Sequence, residues 1–167
     1  MVRFLLGLFP LGTVYYTPRV YTLSIVGIVY TARTAIRQTD MKRVIAYASV
    51  SHMNITLVGL FSLTTQGVEG AILQMLSHGL VAGALFMCVG VLYDRHHTRL
   101  IQYYGGVAQT MPMFVAIFLF FTLANIALPR TSSFVGEFLI LMGVFQTNTF
   151  VAIIAATGMV TGGAYSL

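Results

Sequence analysis

Uninterrupted apolar runs occupy most of this chain. Four of them, at 20–36, 44–63, 71–93 and 150–167, are about 17 to 23 residues long. A helix of about 20 residues crosses the ~30 Å hydrocarbon core of a bilayer. Apolar residues are continuous within each run, whereas the strands of a membrane barrel alternate apolar and polar positions. The pattern therefore predicts four membrane-spanning helices.

A fifth run, from 111 to 146, is 36 residues long. As one straight helix it would measure ~54 Å, which is too long for one crossing and too short for two helices with a loop. Pro129 lacks a backbone donor and clashes with the preceding turn. The hydroxyls of Thr131, Ser132 and Ser133 can bond the freed carbonyls. The run predicts one helix that is broken at Pro129 in mid-membrane, and a simple proline kink is the alternative.

Together the runs predict an all-α membrane protein, with a single transmembrane domain over residues 1–167 and a bundle of about five transmembrane helices. The composition agrees, because 57% of the residues are hydrophobic and only 8% are charged, whereas soluble domains are about 25% charged. The formal net charge of +5 does not indicate a nucleic-acid partner, since the basic residues stand at the ends of the apolar runs and not in one patch.

Basic residues are distributed unevenly between the two sides of the predicted bundle. The loops at 37–43 and 94–106 are rich in Lys and Arg, while the turns "TTQGVEG" and "QTNT" contain neither. With Arg33, near the end of the first run, the side of the two basic loops collects six basic residues, and the other has Arg3 and Arg19. By the positive-inside rule, the basic side faces the cytoplasm or the mitochondrial matrix.

Three ionisable residues lie deep within the predicted helices. His52 is about 12 Å from the basic side, His78 is about 10 Å from the opposite side, and Glu137 is about 14 Å from the turn after its helix. A charge at the bilayer centre costs at least ~2.5–3.5 kcal/mol, so such residues normally face a bundle interior and mark an ion or proton route.

Polar neighbours share helix faces with the two histidines. Ser49, His52 and Thr56 follow helical spacing, and Gln74 lies four residues before His78. Such groups can hold water and pass protons, because a neutral histidine accepts at one nitrogen and donates at the other. For either histidine alone, a simple bond to a neighbouring helix is the better explanation. The buried glutamate favours proton transfer, because a carboxyl group can alternate between charged and neutral forms.

Other chemistry has little support. Cys88 is the only cysteine, so neither a disulfide framework nor a multi-cysteine metal site can form. The adjacent histidines in "YDRHHTR" are more typical of a solvated interfacial loop than of a metal site. Gly79 and Gly83 predict a face for close helix packing, which says little about function. The residues therefore indicate no catalytic, metal-binding or cofactor-binding site on this chain.

Three long strings carry a resemblance to a known family: "RQTDMKRVIAYASVSHMN", "GAILQMLSHGLVAGALFMCVGVLYDRHHTR" and "LPRTSSFVGEFLILMGVFQ". They closely resemble the chain 4 family of antiporter-like subunits of mitochondrial NADH–ubiquinone oxidoreductase, respiratory complex I. Related subunits occur in bacterial complex I and in multisubunit cation/proton antiporters. The likeness extends from Leu8 to the final "AYSL" and corresponds to the middle-to-C-terminal part of the family's members.

The resemblance implies a membrane-arm subunit of about fourteen helices, built from inverted repeats with helices broken near the midplane. His52 matches the histidine of the family's "SHMN" motif, His78 that of "LSHGL", and Glu137 the glutamate of "GEF". In the family these residues line a hydrated proton path. Ser49, Thr56, Gln74 and Lys42 are candidates for supporting polar roles, and Pro129, Arg130 and Thr131 form the helix break.

The implied function is proton translocation coupled to quinone reduction, in a multi-pass subunit of the mitochondrial inner membrane. The enzyme is the whole NADH:ubiquinone oxidoreductase, a translocase, and the resemblance implies that FMN, the iron–sulfur clusters and ubiquinone are bound by other subunits. The implied partners are other membrane-arm subunits, especially neighbouring antiporter-like chains, together with membrane lipids.

Two features depart from the family. The proline of the helix break is usually followed by glycine or another small residue, and here Arg130 follows it. Its guanidinium could satisfy orphan carbonyls or hold Glu137 in the charged form, and an unedited codon or an error in the sequence is a third alternative. The chain is also short, and no lysine lies deeper than Lys42. We therefore expect a separately encoded N-terminal part of a split subunit to bring the missing lysines; one longer chain is the alternative.

Two other functions remain open from the sequence. One is a subunit of a multisubunit cation/proton antiporter, which the mitochondrial character of "LYDRHHTRLIQYYGG" disfavours. The other is a structural piece of the membrane arm that moves no protons.

The charge distribution makes a topological prediction. The loops at 37–43 and 94–106 should face the matrix, because basic loops are retained on that side. In intact mitoplasts, protease or an impermeant label added from the intermembrane side should leave both loops untouched, and cleavage there would contradict the assignment.

Overall fold

The computed structural model describes residues 7–166, and the side chains of residues 7–164. Within this part of the chain there are seven α-helices and no strand. They are α1 (Pro10–Ile36), α2 (Met41–Phe61), α3 (Thr65–His96), α4 (Val107–Thr110), α5 (Pro112–Asn125), α6 (Ser132–Thr147) and α7 (Thr149–Ser166). A short 3-10 turn at Ile101–Tyr104 precedes α4. The five long elements of the bundle are α1, α2, α3, the α5–α6 pair and α7.

This arrangement confirms the predicted all-α membrane fold with one broken helix. Among the described residues, α2 and α3 are each long and apolar enough to span a membrane, while α5, α6 and α7 are shorter apolar helices. Large apolar side chains point outward along the bundle, among them Leu23, Leu80, Met87 and Val160, which are all more than two-thirds exposed. Such a surface is compatible with lipid or with further protein and not with water.

The first helix begins earlier than its apolar run. The run at 20–36 is only the later part of α1, which starts at Pro10. Proline is favoured at the first position of a helix because its missing N–H has no partner there anyway. The early turns of α1 contain tyrosine, threonine and Arg19, which lower the local hydropathy, so the hydropathy pattern does not reveal this part of the helix. The guanidinium of Arg19 lies 5.5 Å from the ring centroid of Tyr16.

The helix break lies between α5 and α6, at residues 126–131. Leu128 N–H donates to the Leu123 carbonyl at 3.3 Å, and Thr131 N–H donates to the Leu128 carbonyl at 3.0 Å. The Thr131 hydroxyl donates to the same Leu128 carbonyl at 2.8 Å. Arg130 adopts a φ of +87°, a left-handed conformation that favours glycine. Pro129 therefore lies in a true interruption of the helix and not in a kink.

Two basic loops are joined at one end of the bundle. Met41 N–H donates to the Arg99 carbonyl at 3.1 Å, and Ile101 N–H donates to the Thr39 carbonyl at 3.0 Å. Asp40 and Leu100 form an isolated antiparallel bridge between the same two loops. The loops with the most Lys and Arg thus lie on one side, as the topological prediction requires. Arg3, which was counted for the opposite side, lies outside the described residues.

Glycines bring α3 and α6 into backbone contact. A Cβ added to Gly70 would lie 2.8 Å from the backbone N of Ile140 and 2.9 Å from the carbonyl of Gly136. A Cβ on Gly143 would lie 2.5 Å from the backbone N of Gly67. Small residues allow this approach, which gives membrane helices their van der Waals attraction. The contact holds α6 against α3 at the depth where the polar residues meet.

The glycine pair predicted to pack closely lies elsewhere. Nothing described in the structure comes within 4 Å of a Cβ added to Gly79 or Gly83. The GxxxG spacing places both residues on one face of α3 but does not determine which face meets a neighbouring helix. The prediction was wrong for the contacts within this part of the chain.

The glycine contacts make a prediction about stability. Gly70→Ala should lower the thermal stability of the assembled protein, by about 1–3 kcal/mol, because the new methyl group meets backbone atoms that cannot move independently. Gly79→Ala is the matched control on the same helix, since its methyl group enters open space. Equal melting temperatures for the two variants would contradict the packing described here.

Candidate functional site

Glu137 is the centre of a buried polar cluster. It lies in the second turn of α6, after the helix break, and is 2% exposed. Its Oε1 lies 2.8 Å from His52 Nδ1 on α2. Gln74 on α3 donates its Nε2–H to the same oxygen at 3.0 Å. One carboxylate oxygen thus joins three helices, and the two hydrogen bonds replace part of the solvation that the carboxylate would have in water.

The two histidines predicted to lie on a common route do come together. The ring centroids of His52 and His78 are 5.4 Å apart, and the ring planes are inclined by 37°. Both side chains are buried, with 6% and 8% exposure. The structure gives His78 no direct hydrogen bond to His52, so a water or another polar group would be needed to connect the two rings.

In the described part of the structure, four buried polar atoms have no hydrogen-bond partner. They are His52 Nε2, Gln74 Oε1, Ser49 Oγ and Thr98 Oγ1. Buried polar atoms in proteins are normally bonded to protein or to internal water. His52 and Gln74 both contact the Glu137 carboxylate, Ser49 lies one turn before His52 on α2, and Thr98 is in the basic loop at 94–106. The free atoms of His52 and Gln74 are therefore positioned to bind internal water beside the carboxylate.

The other predicted supporting residues lie outside the cluster. Thr56 donates its hydroxyl to the Met53 carbonyl at 2.7 Å, so its donor is used within α2. Lys42 is exposed at the basic end of α2, about 15 Å from His52 along the helix. Pro129, Arg130 and Thr131 are at the helix break, and Arg130 is exposed.

A cavity that the sequence did not predict lies on the basic side of the cluster. Its volume is about 370 Å³, and its wall includes Ala48, the residue before Ser49. Most of the lining is apolar, and its polar members are Gln38, Thr122 and Asn125. Asn125 is the last residue of α5 and is 9% exposed. The sequence signal that could have identified Asn125 is its position as a single amide side chain at the end of the apolar residues of α5.

The chain matches a known membrane family over almost its whole length. The sequence profile described as "NADH:quinone oxidoreductase/Mrp antiporter, TM" matches residues 1–162. The chain belongs to this antiporter family. The resemblance carried by the three quoted strings is therefore confirmed.

Individual members of the antiporter family are similar to the chain in sequence and in structure. NADH-ubiquinone oxidoreductase chain 4 of Marchantia polymorpha is 62% identical over 99% of this chain and 34% of its own length. NADH-quinone oxidoreductase subunit M of Rhodobacter capsulatus is 55% identical over 99% of this chain and 32% of its own length. A chain of respiratory complex I from Thermus thermophilus matches with a TM-score of 0.94 and 34% identity, over 98% of this chain and 35% of that one. The chain thus spans about a third of the length of these relatives.

Proposed function

We propose that this chain forms part of a proton-translocating membrane-arm subunit of NADH:ubiquinone oxidoreductase. The observation that carries the proposal is the buried carboxylate of Glu137, bonded to His52 and Gln74 beside a helix break. The names of the relatives from Marchantia polymorpha and Rhodobacter capsulatus support it. The enzyme in this proposal is the whole complex, and the chain contributes the proton route.

The cluster suggests how a proton could pass through it. With Glu137 ionised, His52 donates its Nδ1–H to Oε1 and leaves Nε2 able to accept. A proton arriving at Nε2 from an internal water makes the imidazole cationic, and the Nδ1 proton then moves to the carboxylate. The result is a neutral glutamic acid and a neutral histidine with its proton on Nε2. This route uses His52 as a relay, while Gln74 orients the accepting oxygen.

His78 is the candidate for the next group along the route. Its ring faces that of His52 across a 5.4 Å separation of centroids. One internal water between the rings would connect them, since each neutral imidazole can both donate and accept. The cavity lined by Gln38, Thr122 and Asn125 is a candidate for water access from the basic side.

In this proposal the redox groups belong to other subunits. An iron–sulfur cluster requires several cysteine ligands, and this sequence contains one cysteine. The chain would therefore respond to quinone reduction that takes place elsewhere in the complex. We place it in the mitochondrial inner membrane, with neighbouring antiporter-like subunits as its partners.

The chain supplies no lysine at the depth of Glu137. We propose that titratable lysines on the input side come from protein beyond the 167 residues, either as a separate chain or as a further part of the same one. In a map of the complex, density that continues upstream of α1 into another helix would show one longer chain. A free terminus there, beside helices of another polypeptide, would show a separate chain.

A cation/proton antiporter subunit is the second candidate, because the antiporter family includes both kinds of assembly. Sodium dependence of proton movement would favour it. A structural piece without proton transfer is the third candidate, and the variant described next tests it.

The proposal predicts that Glu137→Gln impairs proton translocation more than assembly. The amide keeps the volume and an oxygen that can accept from Gln74, but it cannot take up a proton at neutral pH. Proton transfer through this route should slow by about 100-fold or more. The measurements are the ratio of protons moved to electrons transferred, in membranes, and the yield of assembled complex on native gels.

Glu69→Gln is the matched control, since Glu69 is an exposed carboxylate near the beginning of α3. It should leave both measurements unchanged. Normal proton translocation in a fully assembled Glu137→Gln complex would reject a proton role and favour the structural reading.

We also propose a lipid contact at the basic end. A groove of about 330 Å³ is lined by Lys42 and Arg99 together with Phe86, Val89, Gly90 and Tyr93. The Arg99 guanidinium lies 4.5 Å from the ring centroid of Tyr93. Two cations above an apolar groove fit the headgroup and acyl chain of an anionic phospholipid.

The lipid contact predicts weaker retention of anionic phospholipid when both cations are removed. Each cation near the surface contributes about 1 kcal/mol, so Lys42→Gln with Arg99→Gln should lower lipid affinity by about 30-fold. Native mass spectrometry of the purified complex measures the retained lipid. Arg33→Gln removes an exposed arginine on the same side but outside the groove, and an equal loss in that variant would contradict a defined site.

A further inference from the structure

We infer that Arg130 pairs with a carboxylate on a transmembrane protein helix that lies outside the described residues. The helix break lies on the surface of the bundle, where Leu128, Pro129 and Arg130 are consecutive exposed residues. This surface is separate from the Glu137 cluster, which is buried among α2, α3 and α6. The inference does not depend on proton translocation.

Arg130 lies near the middle of the membrane-spanning thickness. Before the break, α5 has 14 residues, and after it α6 has 16. At 1.5 Å per residue, either end of the α5–α6 pair is about 20 Å from Arg130 along the helix axes. Arginine can extend its charge to the interface only from near the end of a membrane helix. At this depth the guanidinium cannot reach the lipid headgroups.

The described residues supply no anionic partner for this cation. The ion pairs within them are Arg43 with Asp40 and His52 with Glu137. The carboxylate of Glu137 is 2% exposed and already bonded to two side chains through Oε1. An arginine at mid-depth is costly in hydrocarbon and is normally paired with another group. The partner must therefore come from outside this part of the structure.

The exposed backbone of the break favours protein over lipid as the partner. Irregular backbone at membrane depth is tolerated only where protein or a water-filled cavity covers it. Thr131, at the N-cap of α6, makes no side-chain capping bond, so the break leaves donors near Arg130 that need acceptors. A neighbouring helix with an aspartate or glutamate supplies such acceptors, and a carboxylate matches the planar, forked donors of a guanidinium.

The conformation of Arg130 gives the inference a discriminating test. Because its φ is +87°, Arg130→Gly should relieve backbone strain if the side chain has no partner. If the side chain is paired, the same substitution removes an ion pair and leaves a buried carboxylate alone. The sign of the change in stability therefore separates the two cases.

The experiment uses the assembled complex. Peptide mass spectrometry first establishes the amino acid at position 130 in the mature protein. Arg130→Gly, Arg130→Gln and Arg130→Lys are then compared with Arg33→Gln, which removes an exposed arginine from α1. The measurements are the melting temperature of the complex, the equilibrium for release of this chain from it, and a density map around the break.

We expect Arg130→Gly and Arg130→Gln to lower the melting temperature and to shift release by about 10-fold or more, because one partner of a buried charge pair has been removed. Arg130→Lys should retain most of the stability, and Arg33→Gln should match the unmodified complex. The map should show the guanidinium at salt-bridge distance from an aspartate or glutamate on another helix.

Four outcomes would overturn the inference. Glycine at position 130 in the mature protein would remove the cation altogether. A higher melting temperature for Arg130→Gly would show an unpaired, strained side chain. A map with the guanidinium on a lipid phosphate, or on Glu137 of its own chain, would identify a different partner.

Discussion

A carboxylate inside a membrane needs hydrogen-bond donors, and this requirement organises the bundle around Glu137. Its Oε1 is within hydrogen-bond distance of His52 Nδ1 on α2 and accepts a hydrogen bond from Gln74 Nε2–H on α3. Donors from two different helices can reach one atom only if α6 lies close to both. The hydrogen bonds to a single buried oxygen therefore fix α6 against α2 and α3, which lie far before it in the sequence.

The close approach depends on the absence of side chains. Gly67 and Gly70 on α3 meet Gly136 and Gly143 on α6 through their backbones. A Cβ on Gly136 would lie 2.7 Å from the Oε1 of Gln74, so a larger residue there would displace the amide that bonds Glu137. Packing and hydrogen bonding are thus linked at the same turn of α6. Gly136 permits the contact with α3, and the next residue, Glu137, makes the hydrogen bonds to α2 and α3.

Much of this organisation was predictable from the chain itself. Hydropathy revealed the long helices, Pro129 revealed the break, and charge buried in apolar runs revealed His52, His78 and Glu137. Helical spacing could not decide which neighbours share the site, so Gln74 joins it while Thr56 bonds its own helix. The same uncertainty explains why a close-packing face was predicted at Gly79 and Gly83, whereas the close contacts are made by Gly67 and Gly70. Spacing identifies a helix face, and only the other helices determine what that face meets.

The hydrogen bonds that join the two basic loops have a mechanical consequence. Backbone bonds join residues 39–41 to residues 99–101, and at the opposite end Thr64 accepts from Gly67 N–H in the tight turn between α2 and α3. Because α2 and α3 are connected at both ends, they form a rigid frame that carries both histidines and Gln74. Because α6 packs on α3 through backbone contacts at its glycines, α6 belongs to the same block as this frame. The helix is interrupted just before α6, so the break separates this block from α5 along the chain and would act as a joint that lets α5 shift while the Glu137 cluster stays together.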